Sequence, residues 1–141
     1  MSIADRLRAL HITLPTPPAP VAAYVPAVRT GNLLFISGQL PSEGGTVRYT
    51  GKVPVDLSPE EAYAAARLAA INCLAVAQSE LGDLDRVTRV VRVTGHVASA
   101  PGFTGQPAVV NGASELLVQV FGERGRHSRA ALGAAELPLG A

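Results

Sequence analysis

The chain has 141 residues, 48% of them apolar and 16% charged, with a formal net charge of +1. That length makes one domain able to bury a proper core, and the balance excludes a disordered chain and a global field for nucleic acid or anionic membrane. The single cysteine, Cys73, excludes an internal disulfide and a cysteine-based metal cluster.

No apolar run approaches membrane-spanning length, and the N-terminus lacks a charged-then-apolar leader pattern, so a cytoplasmic protein is expected. With no Trp and only three Tyr and three Phe, the core must be built from Ala, Val and Leu. Small side chains bury little area each, which favours self-association as a source of further stability.

Ser2 with Asp5 three residues later has the pattern of a capping box and predicts a short helix from Ser2 to Leu10. From His11 to Pro26 the prolines forbid a helix or a central strand, so this lead should lie extended over the surface. A first strand is expected at about Val25 to Arg29, just after Tyr24. Thr30-Gly31-Asn32 then makes a hairpin turn into the apolar run Leu33 to Ile36, too short for a helix and rich in strand formers. Ser37-Gly38-Gln39 interrupts that run where the strand leaves the core. Two readings stand there: a strand end with a bulge, or a step whose exposed backbone N–H groups and Ser37 hydroxyl meet a ligand. Pro41 to Pro54 is a turn-rich excursion with a short strand at Thr46 to Tyr49.

Ser58-Pro59-Glu60-Glu61 is a strong helix start, with Ser58 as cap, Pro59 in the first position and Glu61 closing the box. The helix should run to Leu81 and stop at Gly82. Ala62, Ala66, Ala69, Cys73 and Val76 share its inner face, flanked by Ala65 and Ala70, and Cys73 reads as filler rather than a reactive thiol. Val87 to Ala98 is β-branched and alternating, which predicts one long strand. Arg86, Arg89 and Arg92 would make a basic stripe on a helix, but on a strand Arg89 faces away from the other two.

Pro107 opens a second helix to about Phe121, with Val109, Ala113, Leu116, Leu117 and Val120 inward. Gly112 costs about 1 kcal/mol against alanine inside a helix, so it marks a close approach of packing or ligand beside Asn111. After a turn at Gly122 to Gly125, Arg126 to Ala135 returns as a strand, and Glu136 to Ala141 trails off. The order β-β-(β)-α-β-α-β places two helices on one face of a mixed sheet. No third long helix covers the other face, and a closed ring of copies would.

There is no P-loop, dinucleotide fingerprint, HExxH or GxSxG, and His11, His96 and His127 are scattered. On the last strand, His127 and Arg129 face the same way. Arg129 offers a planar fork for a carboxylate or phosphate, or else pairs with a neighbouring Asp or Glu.

Ala23-Tyr24-Val25, Gly31-Asn32-Leu33 through Ser37-Gly38-Gln39-Leu40-Pro41, Val110-Asn111, and Ser128-Arg129 followed by Leu137-Pro138 recur together in one family. Over about Tyr24 to Pro138 the chain resembles the Rid (YjgF) family of reactive-intermediate deaminases, also described as L-PSP endoribonucleases. The G-N-x-x-x-x-S-G-Q-x-P stretch is the most specific part of the likeness.

The resemblance implies a single α+β domain of chorismate-mutase-like fold over 1–141, with the N-terminal helix and proline-rich lead in 1–23. It also implies a homotrimer whose sheets form an inner barrel, sites in the clefts between subunits, and no metal or bound cofactor. The implied reaction is hydrolysis of enamines or imines of the 2-aminoacrylate type to a 2-keto acid and ammonia. Arg129 would be the catalytic anchor for the substrate carboxylate; Tyr24 and Ser37 would line the pocket, with the Gly38 backbone and Asn111 nearby. Other members carry a cysteine where this chain has Ala131, and a last strand whose glutamate orients the attacking water. That strand would begin at about Ala141, and His127 is a possible substitute base. A non-catalytic small-carboxylate-binding trimer and an endoribonuclease are the alternatives.

Overall fold

The computed structural model describes residues 1–20 and 22–141. Val21, part of the expected extended lead, lies outside the described residues. Helix α1 (Ile3–Ala9) starts as expected: the Ser2 hydroxyl accepts from the Asp5 amide, and the Asp5 carboxylate accepts from Ser2. The proline-rich lead has neither helix nor strand where described, and Ile12 anchors its beginning in the core.

Strands β1 (Ala27–Thr30) and β2 (Leu33–Ile36) form an antiparallel hairpin with Val28 opposite Phe35. Gly31 supplies the left-handed angle of the turn, at φ 55°. Strands β3 (Ser42–Glu43) and β4 (Thr46–Val47) make a second, minimal hairpin. Helix α2 (Pro59–Leu81) follows, capped at Ser58 by the expected reciprocal box and ended by Gly82 at φ 80°. Strand β5 (Arg92–Ala98), helix α3 (Gln106–Phe121) and strand β6 (Ser128–Ala134) form one βαβ unit, with β5 and β6 parallel and Val93 beside Arg129. Parallel and antiparallel pairing are thus both present, in three two-stranded ladders.

Helices α2 and α3 pack together and cover the strands from one side: α2 lies on β1 and β2, and α3 on β5 and β6. The main core joins Ile3 and Leu7 of α1, Leu74 and Ala77 of α2, and Leu116, Leu117, Val120 and Phe121 of α3. Each large aliphatic or aromatic chain so buried contributes about 1.5–3 kcal/mol before entropy is counted. A smaller cluster of Val53, Ala62, Val97, Val109 and Val110 sits at the other end.

Two local expectations change. The long strand starts at Arg92 rather than Val87, because its partner β6 begins only at Ser128. Before that point the backbone donors are already committed: the Val87 amide donates to Leu84 and the Val90 amide to Arg124. The buried face of α2 keeps Ala62, Ala70 and Val76 of the expected one and adds Leu74, Ala75 and Ala77, while Ala66, Ala69 and Cys73 are partly covered at its margin. The widened face also buries Asn72, which is 1% exposed and donates to the carbonyls of Leu40 and Ser42 at 3.0 and 2.9 Å. A buried amide is tolerable only when so satisfied, and here it ties the loop after Ser37-Gly38-Gln39 to the helix layer.

Candidate functional site

Arg129 lies on β6 in the register that points inward toward α3, in line with Ala131 and Gly133. The face of α3 that meets it is polar at helical spacing: Pro107, Asn111 and Ser114 stand at i, i+4 and i+7. Arg129 Nη1 donates to Asn111 Oδ1 at 2.7 Å and to Ser114 Oγ at 3.2 Å, and Nη2 lies 3.4 Å from the Pro107 carbonyl. All three partners are neutral. Among the described residues no carboxylate pairs with Arg129; the ion pairs are Arg8–Asp5, Arg48–Glu43, Lys52–Glu136 and Arg126–Glu123. The guanidinium is therefore half-buried, held in place and uncompensated, which is how an arginine is set out for an anion.

His127 faces the same side. Its Nδ1 lies 2.6 Å from the Gly125 carbonyl and its Nε2 2.9 Å from Ser114 Oγ. A carbonyl only accepts, so the proton sits on Nδ1; in the neutral ring Nε2 then accepts from the Ser114 hydroxyl. Asn111, Ser114, His127 and Arg129 thus form one continuous network. Ser114 is absent from the residues singled out in the sequence. Its signal was the i, i+3 relation to Asn111 on a helix otherwise read only for its apolar face.

The remaining candidates form a second group. Ser37 Oγ donates to the Val25 carbonyl at 2.7 Å, and Tyr24 beside it is 51% exposed. These belong to the β1–β2 hairpin, which packs on α2 rather than on α3. Gly38 lines a cavity of about 380 Å³ between α2, α3, β5 and the C-terminal residues, together with Pro41, Tyr49, Thr94 and His96. Neither Arg129 nor Asn111 lines that cavity. Within one chain, Asn111 and Arg129 meet, while Tyr24, Ser37 and Gly38 share no hydrogen bond with either.

Three other arginines are spent on backbone carbonyls. Arg86 donates to Leu81, Arg89 to Arg126 and Arg124 to Val87, at 2.8, 2.6 and 2.8 Å. Arg86 sits in a 3-10 turn, so neither a helical nor a strand stripe forms. Among the described residues no helix is long and apolar enough to cross a membrane.

This fold, with an arginine and an asparagine meeting across a strand and a helix, places the chain by its architecture as well as its motifs. The chain belongs to the family described as "YjgF/chorismate mutase-like, putative endoribonuclease", whose model matches residues 4–141. It is similar to protein TCP17 of Trypanosoma cruzi, with 46% identity over 99% of this chain and 88% of that protein. The crystal structure of Atu1372 from Agrobacterium tumefaciens, a protein described as of unknown function, is 48% identical. It superimposes with a TM-score of 0.92 over 99% of this chain and 86% of that one. RidA from an Antarctic Psychrobacter is more distant, at 28% identity and a TM-score of 0.61, covering 89% of this chain and 85% of its own.

Proposed function

We propose that the protein hydrolyses enamine or imine intermediates of the 2-aminoacrylate type to a 2-keto acid and ammonia, with Arg129 holding the substrate carboxylate. The observation that carries this reading is the Arg129 guanidinium, half-buried on three neutral partners with no carboxylate against it among the described residues. A bidentate carboxylate there would fix the imine carbon for water attack, converting a bimolecular encounter into a positioned one. Polar groups around it would stabilise the charge that develops as water adds. The likeness to RidA, though distant, agrees in fold with this chemistry.

The pocket is completed between copies of the chain. Tyr24, Ser37 and Gly38 share no hydrogen bond with Arg129 within one chain, and the strand face away from the helices leaves Val28, Leu33, Phe35 and Leu132 exposed. A trimer covering that face would set one copy's hairpin against the next copy's β6, the strand that carries Arg129. The test is ammonia release from 2-aminoacrylate generated in situ. Arg129→Ala removes a charge-assisted pair worth roughly 1.5–3 kcal/mol, so kcat/KM should fall about tenfold to a hundredfold. Equal turnover by wild type and mutant would overturn the reading.

One observation favours a second reading, a small-carboxylate-binding trimer without chemistry. The network around Arg129 contains no acidic side chain to activate water, and Ala131 stands at the next inward position of β6. Tight 2-keto acid binding in calorimetry without ammonia release would select it. An endoribonuclease is the weaker alternative, since Arg86, Arg89 and Arg124 are turned onto backbone carbonyls rather than aligned for phosphates.

A further inference from the structure

The Arg129 guanidinium has two edges that can each grip a carboxylate: the end formed by Nη1 and Nη2, and the side formed by Nε and Nη2. Nη1 has two hydrogens, and both are occupied, one by Asn111 Oδ1 at 2.7 Å and one by Ser114 Oγ at 3.2 Å. The end-on edge is therefore closed. The Pro107 carbonyl, 3.4 Å from Nη2, takes at most one of that group's two hydrogens. Nε–H donates to no group among the described residues, so it and the Nη2 hydrogen beside it are the one edge still able to offer a parallel fork to the two oxygens of a planar carboxylate.

Whether Ser114 can serve as acceptor depends on where its own proton goes. The Gly125 carbonyl holds a proton on His127 Nδ1, leaving Nε2 as an acceptor 2.9 Å from Ser114 Oγ. The hydroxyl proton is thus committed to His127 and the Ser114 lone pairs face Arg129. We propose that Ser114 and His127 are positioning residues that occupy Nη1 and so reserve the Nε–Nη2 edge of Arg129 for a planar carboxylate. This rests on the reading of Arg129 as the carboxylate anchor. Gly125 is itself buried and packed so closely on α3 that a Cβ there would collide with the Leu117 carbonyl, so the relay starts from a backbone group seated against the helix.

Calorimetric titration with pyruvate as the carboxylate probe tests it, alongside thermal melts of every variant. Ser114→Ala and His127→Phe should each weaken pyruvate about fivefold, the worth of one neutral hydrogen bond, with melting unchanged. Ser114→Thr, which keeps the hydroxyl, should bind as wild type. ¹⁵N spectra of the wild type should show His127 protonated at Nδ1 and bare at Nε2. Should His127→Phe fail to fold, His127→Leu, which also removes both ring nitrogens, takes its place with the same loss, about fivefold, expected. Unchanged affinity in Ser114→Ala and His127→Phe, with binding lost in Arg129→Ala, overturns the positioning role and leaves the anchor standing. A loss that Ser114→Thr does not restore also overturns it. Arg129→Ala behaving as wild type overturns the anchor and the positioning together.

Discussion

At the scale of single residues, the chemistry of the chain is decided by how each polar group is satisfied. Cys73 shows this from the inert side. Desolvation pushes its thiol from the ordinary 9.0 up to about 11, so at pH 8 only about one molecule in a thousand carries the thiolate that reacts. A disulfide reagent at pH 8 should therefore modify native protein far more slowly than protein unfolded in guanidinium. The same shift has a consequence for stability. The folded state keeps the proton that the unfolded state gives up, so stability is full below pH 9 and declines as pH rises toward 11. Urea midpoints measured at pH 8 and pH 10 should fall, and should fall less in Cys73→Ala. Arg129 is the opposite case: a charge held on three neutral partners with no carboxylate beside it among the described residues.

At the scale of elements, the α2–α3 contact sets the geometry of the site, because α3 carries both Asn111 and Ser114. Gly112 lets that contact close. Its missing Cβ would overlap the Tyr63 carbonyl of α2, and would lie 2.9 Å from the carbonyl carbon. Alanine at that position gains about 1 kcal/mol of helix propensity, yet it forces the helices apart at a cost of about 1–3 kcal/mol. Gly112→Ala should lower the urea midpoint, and it should weaken whatever Arg129 binds, since Asn111 moves with the helix. A raised midpoint would show that the two helices have room to spare. The capping boxes at Ser2 and Ser58 work at the same scale, fixing where each helix begins and so which face it turns to the core.

At the scale of the whole molecule, one surface is unfinished. Val28 and Phe35 stand opposite each other on the β1–β2 hairpin at 56% and 60% exposure, and Leu132 of β6 faces outward at 48%. A core made of Ala, Val and Leu gains from covering such a face with further copies of itself. Light scattering should find three chains in wild type. Phe35→Glu, placing a charge where apolar side chains would meet, should shift the mass toward one chain without unfolding it, because Phe35 touches little in its own chain. A trimer unaffected by Phe35→Glu would put the contact elsewhere.

The local signals in the sequence determined most of the architecture. Paired caps at Ser2 and Ser58, the glycine stop at Gly82, the Gly31 turn and the proline at 107 bound the helices and the first hairpin because their causes lie within a few residues. The motif residues Ser37-Gly38-Gln39 and Ser128-Arg129 carried the family for the same reason. The start of β5 was not legible, because a β-branched run becomes a strand only beside a partner, and the partner begins at Ser128. Nor was the burial of Asn72 or the part played by Ser114. Both depend on which way a helix is rotated against distant segments, which is settled by packing rather than by local preference. The neutrality of the Arg129 surroundings belongs to the same class: the residue type makes an anion site possible, and only the tertiary structure, by bringing Asn111, Ser114 and Pro107 to it and no carboxylate, leaves its charge unspent.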